Sequence, residues 1–314
     1  MSNTPRIQTK DFYTLGQPSL PTVLTPDLPA YNHFGCGCDF TLKVLADDSG
    51  EDLRNDKSGF LWWFNDTINS AELTLQKWES LGGGGWSDVV DLNNNDYGTF
   101  YEYEFFVNDA GESFIGYQLE WALVLADLGK GNYRVKCDTI DYLSTTNTLY
   151  SYEYCLQQYT PQAANGTVRI ETYLNNQMGD PNNDKAVRDY GNLNWYNSFR
   201  LNGWFGYPSS GYEKTRTAYN TGQVLDVISE QEQEFELQLK LVPFFVHEAL
   251  RIDMMQGDTV LISDYNNRNV ENFVQKAVKP NSGYKPEYHK GQNKLSSVNV
   301  KFIKEYNNDK KYFV

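Results

Sequence analysis

From residue 115 to residue 125 every second position is large and apolar, a spacing that points to a β-sheet. Ile115, Tyr117, Leu119, Trp121, Leu123 and Leu125 alternate with Gly116, Gln118, Glu120, Ala122 and Val124. On an extended chain successive side chains point to opposite faces, so the pattern lays one apolar face on a core. Residues 99–107 precede it and are β-branched and aromatic, a composition that packs on a pleated surface. Asn108, Asp109 and Gly111 supply a tight turn between the two strands. Gly129, Lys130, Gly131 and Asn132 then turn the chain into a third strand, with Tyr133, Val135 and Cys137 on one face. The stretch 97–138 predicts a three-stranded meander.

Composition extends this reading to the whole chain. With 314 residues the chain is long enough for a large core and for two domains. Hydrophobic residues at 40% and charged residues at 22% describe a globular chain, not a disordered one. The aromatic share of 15% favours sheets and contact surfaces anchored by Tyr and Trp. A net charge of −14 argues against tight wrapping of nucleic acid, which needs Lys and Arg to replace counterions. It fits a soluble acidic surface. The first twenty residues lack the apolar core of a signal peptide, and no run of 18 apolar residues occurs, so no membrane span is expected. The four cysteines, Cys36, Cys38, Cys137 and Cys155, are too few for a disulfide scaffold. The expectation is free, reduced thiols in a protein made in the cytosol.

Residues 1–33 hold Pro5, Pro18, Pro21, Pro26 and Pro29. Proline lacks an N–H and fixes φ, so the segment predicts an extended arm, neither helix nor central strand. Leu20, Val23, Leu24 and Leu28 lie between the prolines, more apolar residues than a disordered tail carries. They fit an arm that lies on another subunit, or on its own domain. Phe40, Leu42 and Val44 begin a strand, and residues 59–64 and 71–78 supply further ones. Residues 148–157 alternate again, with Tyr150, Tyr152 and Tyr154 on one face, as a cross-strand ladder or a surface on which sugar rings stack. Residues 161–166, PQAANG, read as a small polar linker and a domain boundary.

Beyond it, strands are expected at 168–174, 235–241, 259–265, 272–278 and 296–306. Pro243 and the following FFVHEALRIDMM predict a short amphipathic helix near 243–255, closed by Gly257. The fold class expected is mainly β. It comprises two antiparallel β-sandwich or barrel-like domains at 34–160 and 167–314, one short helix, and the proline-rich arm 1–33.

Motifs that carry chemistry are few. His33, Cys36 and Cys38, with Cys137 or Cys155, offer four zinc ligand types, but the usual knuckle spacing is absent. Asp91, Asn93, Asn95 and Glu102 fall at positions 1, 3, 5 and 12 of an EF-hand-like loop, yet Asp96 stands where the sharp-turn glycine belongs. The glycine run 82–85 lacks the Gly-Lys-Ser/Thr of a phosphate-binding loop. His247 and Glu248 begin a zincin-like motif, but Arg251 replaces its second histidine. No G-x-S-x-G elbow occurs. Accordingly no enzyme activity, cofactor or metal is expected.

Two stretches carry a family likeness: FYEYEFFVNDAGESFIGYQLEWALVLADLGKGNYRVKC and GYEKTRTAYNTGQVLDVISEQEQEFELQLKLVPFFVHEALRIDMMQGDTVLISDY. With the Tyr- and Asn-rich composition and the proline-rich start, the chain resembles virion proteins of tailed phages infecting gut Bacteroidetes. It is most similar in pattern to those of crAss-like phages, whose short tails stack rings of β-rich proteins below the portal. The likeness spans roughly residues 97–306 and carries no catalytic residues. It implies a tail or collar ring protein in the virion, made in the bacterial cytoplasm. Its implied partners are copies of itself, other tail or portal proteins, and DNA that passes without specific binding. In such a ring, Asp47, Asp48, Glu51 and Asp52, and Glu230, Glu232 and Glu234, are candidates to face the lumen. The alternatives are a carbohydrate- or receptor-binding protein with aromatic platforms such as Trp62, Trp63, Trp204 and Tyr207, or a glycan-degrading enzyme.

Overall fold

The structure is a computed structural model, and it describes residues 42–64, 68–79, 84–101, 113–141, 146–175, 194–206, 209–218, 224–255, 257, 259–266, 274–288, 295–304 and 309–312. The first half contains strands β1 (Leu42–Ala46), β2 (Lys57–Phe64), β3 (Ile68–Glu79), β4 (Gly85–Asp91), β5 (Gly98–Tyr101) and β6 (Ser113–Glu120). Helix α1 (Trp121–Leu128), β7 (Gly131–Asp141), β8 (Thr146–Tyr150) and β9 (Tyr154–Gln158) follow. One sheet has the order β1-β9-β7-β3-β4, with β8 also on β7; a second has the order β2-β6-β5. All pairs are antiparallel except β1 on β9, a departure from the all-antiparallel expectation.

The two sheets share a core. Phe60 and Tyr117 of the smaller sheet are buried with Leu73, Leu75, Tyr133 and Val135 of the larger. Trp121 joins them. Its ring lies 5.3 Å from Tyr154 and 6.1 Å from Tyr133, while its Nε1 donates to Ser58 Oγ at 2.9 Å.

The alternation at 115–125 does not make one strand. The strand stops at Glu120, and Trp121, Leu123 and Leu125 belong to α1. Ala and Leu are strong helix formers, and a short apolar run satisfies both periods. Trp121 and Val124, three apart, are the helix residues fully buried. Gly129 follows at φ 75°, the left-handed region that glycine enters without strain, and its N–H closes onto Leu125 O at 3.1 Å. The expected meander is therefore broken: α1 carries the chain from the small sheet to β7 of the large one. Tyr133, Val135 and Cys137 do share a buried face there. Residues 102–112, with the turn expected at Asn108, Asp109 and Gly111, lie outside the described residues.

The tyrosine stripe is broken too. Ser151 interrupts the ladder between β8 and β9, and its Oγ accepts from Val135 N at 2.8 Å. Nor is the stretch 161–166 a polar linker. It opens with helix α2 (Pro161–Ala164), with Thr160 Oγ1 accepting from Ala163 N at 3.0 Å and proline at its first position. Ala164 is buried with Leu45, Tyr159 and Tyr265, so this junction is packed.

The second half runs β10 (Thr167–Asn175), β11 (Asn194–Phe205), β12 (Ser209–Ala218) and β13 (Val224–Pro243). Helix α3 (Phe244–Ala249) continues into a π-helical turn (Leu250–Met254), near the expected helix. Then come β14 (Thr259–Asp264), β15 (Val274–Pro280), β16 (Pro286–Tyr288), β17 (Leu295–Lys304) and β18 (Asp309–Tyr312). Six of these strands close on themselves in the order β13-β11-β10-β14-β15-β17, because β17 pairs back onto β13. Closure leaves no edge in this antiparallel barrel. Val168, Ile170, Phe199, Leu237, Val260, Ile262, Val300 and Phe302 form its apolar core, joined by Val246, Leu250 and Met254 from α3 and the π-turn. At Gly203 the β11 and β13 backbones approach so closely that a Cβ would lie 2.5 Å from Gln238 O.

The mainly-β class holds, with a closed six-stranded barrel. Among the described residues no strand pairing crosses from the first half to the second, yet one buried cluster runs through both. Replacing Trp121 by Ala should lower stability by about 3–5 kcal/mol, because it empties a site shared by two sheets. Denaturant unfolding of Trp121→Ala checks this; a loss below about 1 kcal/mol would show that the two sheets do not depend on it.

Candidate functional site

The outer wall of the barrel carries an unusual set of charges. Arg169 and Glu171 lie on β10, and Arg200 and Ser198 face them on β11, with Arg169 directly opposite Arg200. Like charges in opposing positions destabilise a sheet. Asp56, from the loop before β2, offsets this. Arg200 donates to it with Nε at 2.7 Å and Nη2 at 2.9 Å, and Arg169 Nε lies 3.5 Å from it. The same carboxylate accepts from Leu45 N at 2.7 Å. Arg169 Nη2 also meets Glu171 Oε1 at 3.0 Å; Tyr196 OH and Gln275 Nε2 donate to Glu171 at 3.0 and 2.8 Å. Burial opposes the charge of both arginines, but Tyr196, Asp56 and Glu171 around Arg169, and Asp56 beside Arg200, outweigh it and hold both pKa values above the ordinary guanidinium range. Tyr265 stacks 4.3 Å from the Arg200 guanidinium. These groups are sealed at the junction of the two halves, and their chemistry is that of a fastener.

A second constellation resembles a nucleophile and its base. Ser296 Oγ touches His247 Nε2, and His247 Nδ1 is 2.6 Å from Tyr284 OH. Ser296 has no exposed surface and His247 is buried. The three side chains tie α3, β17 and the segment before β16 together.

The acidic residues singled out in the sequence are dispersed. Asp47 is largely covered: burial raises its pKa, but hydrogen bonds from Ser49 and the charge of Arg54 hold it below the usual carboxylate range. Arg54 pairs with Glu51 at 2.8 Å, and Asp48, Glu51 and Asp52 are exposed. Glu230, Glu232 and Glu234 occupy alternate positions of β13, of the parity opposite to the buried Leu237 and Leu239. The register sets Lys310 of β18 opposite Glu230, and Arg216 of β12 opposite Asp226. Leu20, Val23, Leu24 and Leu28, like His33, Cys36 and Cys38, lie outside the described residues.

Cysteine chemistry departs from expectation. Cys137 is free and buried, and burial pushes its thiol pKa up, but Cys155 is disulfide-bonded. A disulfide sulfur is no thiolate ligand, so Cys155 drops out of the zinc reading. Among the described residues no group of three or more His, Cys, Asp or Glu could hold a metal ion. In the EF-hand-like loop, Asp91, Asn94 and Asn95 accept backbone N–H groups from Asn93, Asp96 and Phe100, so they serve the turn; Glu102 is outside the described residues. No helix among the described residues is long and apolar enough to cross a membrane.

Of the aromatic residues expected to form a platform, only the Trp204 side chain lies among the described residues. Trp62 and Trp63 sit in β2, Trp204 lies against Gly206, and Tyr207 is outside the described residues. A different row exists on the outward face of the large sheet. Arg134 of β7 is held between Trp86 of β4 and Tyr150 of β8, 4.4 and 4.0 Å from their ring centres. Trp78 of β3 meets Trp86 edge-on at 5.5 Å. Gln76 accepts from Arg134 Nε at 2.7 Å and donates to Asp88 at 2.6 Å; Lys136 bridges Asp88 and Asp138 at 2.9 and 3.1 Å. Burial draws the Arg134 pKa down to about 10 and raises that of nearby Glu153 to about 7. Hydrogen bonds from Gln76 and Lys136 hold Asp88 below its usual range. The residues are far apart in sequence, and only the period-two positions of each strand hinted at a shared face.

A comparison with known protein-family models finds no match, and neither does a comparison with curated proteins.

Two predictions follow from these charges. Replacing Asp56 by Ala should cost about 3–5 kcal/mol, because two buried guanidinium groups lose their shared partner. Urea unfolding of Asp56→Ala, with Arg200→Ala and the double variant, should show strong coupling between the sites; additive losses would contradict it. For Glu153 the folded pKa of about 7 lies above the ordinary 4.5, so the folded state keeps a proton that the unfolded chain has lost. Its contribution is therefore present below pH 4.5 and lost as pH rises through 7. Glu153→Gln should raise stability at pH 8 by up to about 3 kcal/mol, less any screening by water, and change little at pH 4. Equal effects at both pH values would refute the assignment.

Proposed function

We propose that this protein is a structural subunit of a phage virion, a tail or collar ring protein. Copies assemble head to tail with cyclic symmetry around the DNA passage. The observation that carries this reading is the length of β13. Its 20 residues extend for about 66 Å. Residues 234–243 complete the barrel with β17 and β11, while residues 224–234 run on beyond it between β12 and β18. A closed barrel offers no edge for a neighbour, but this three-stranded ribbon does: β12 ends the strand order of its sheet. A rigid barrel bearing a projecting ribbon, and an N-terminal arm with apolar residues between prolines, suits a subunit that grips the next one.

The partners in this reading are copies of the chain and other tail or portal proteins. DNA passes without specific binding and no chemistry is required. The acidic positions around 47–52 and 230–234 serve this role if they line the lumen. A basic lumen would hold phosphates by counterion release, whereas an acidic one lets the strand slide.

Electron microscopy of the purified full chain should reveal rings. Deleting residues 2–30 should weaken their assembly while circular dichroism keeps its β signature. A protein that stays monomeric at high concentration, or that binds duplex DNA at physiological salt, would overturn the proposal.

A further inference from the structure

We propose that the outward face of the large sheet, around Trp86, Arg134 and Tyr150, is a binding site for an uncharged saccharide. The inference does not depend on ring assembly. Strand alternation places this row opposite the core: Tyr133 and Val135 are buried, and Arg134 between them points the other way. Trp86 and Tyr150 are partly exposed. Trp78 is the wall behind them, since its ring packs on Gly84, where a Cβ would lie 3.0 Å away.

Sugars are recognised by two features together. Their C–H faces stack on aromatic rings, and their hydroxyls need planar donors and acceptors beside those rings. Both features are present here and already fixed. The Arg134 guanidinium is clamped by two rings and by Gln76, and Gln76 in turn holds Asp88. Asp88 and Lys136 stand at the rim, with the Asp88 side chain more than half exposed. Little rotamer freedom remains to be lost on binding.

Charge selects the class of ligand. Arg134 and Lys136 are balanced by Asp88 and Asp138, and exposed Glu72 opposes Asp138 on β3. The face has no positive excess to attract a phosphate or an acidic polysaccharide. Its rings are separated by ionic groups, so an apolar peptide or lipid chain would find no continuous dry surface.

The test uses the full chain and a panel of neutral oligosaccharides of four to six sugars: glucans, mannans, xylans and galactans. Binding is read by tryptophan fluorescence and by retention on the corresponding insoluble polysaccharides. At least one member should bind, and Trp86→Ala and Tyr150→Ala should each weaken it by about tenfold with the melting temperature measured alongside. Trp86→Phe keeps a ring and should retain most of the affinity, while Asp88→Ala should weaken binding, its melting temperature also being measured because Gln76 and Lys136 lose a partner. The proposal fails if no neutral oligosaccharide binds at millimolar concentration. It also fails if binding survives Trp86→Ala and Asp88→Ala unchanged, or if only acidic polysaccharides bind.

Discussion

Arg169 and Arg200 face each other across the β10–β11 ladder, and Asp56 is what allows them to stay there. Two guanidinium groups buried side by side would repel strongly in a medium that screens poorly. The carboxylate that offsets them is supplied by the other half of the chain. The barrel wall thus reaches its lowest energy only when the first half is docked. The same carboxylate accepts the Leu45 N–H, so it also fixes the edge strand β1. One side chain therefore sets the joint between halves and blunts an open sheet edge.

Everything around this joint reinforces it. Ser198 Oγ donates to Lys57 O at 2.6 Å, Tyr265 OH donates to Leu53 O, and Gln118 Nε2 donates to Tyr196 O at 3.3 Å. Ser198 and Tyr196 belong to β11 and Tyr265 follows β14; the face of β10 and β11 that carries Arg169, Glu171, Ser198 and Arg200 lies opposite Val168, Ile170, Phe199 and Leu201 of the barrel core. Strand alternation thus lets two neighbouring strands serve the barrel interior and the joint at once.

Two further surfaces lie outside this joint. With the barrel closed, the β12–β13–β18 ribbon is an extension that the barrel does not need for its own closure. The Trp86–Arg134–Tyr150 row lies on the face of the large sheet opposite its core. The proposed assembly and the proposed saccharide site draw on different parts of the molecule and stand or fall separately.

The sequence by itself determined the mainly-β class, the strands expected at 168–174, 235–241, 259–265 and 296–306, the buried face of Tyr133, Val135 and Cys137, and a helix expected near 243–255, all of which the structure has to within a few residues. These are local consequences of side-chain period and propensity. It misassigned Trp121, Leu123 and Leu125, because a short apolar run fits a strand and a helix equally, and only packing against two sheets chose the helix. The strand order, the barrel closure and the parallel β1–β9 pair were decided by tertiary structure, since register depends on which distant strands share a core. So was the meaning of the charges. Asp56 lies at the end of an acidic run that looks solvated, and Arg169 and Arg200 look like surface residues of alternating strands. Their burial follows from long-range docking, where desolvation makes pairing obligatory, and no local pattern encodes which carboxylate will meet which arginine.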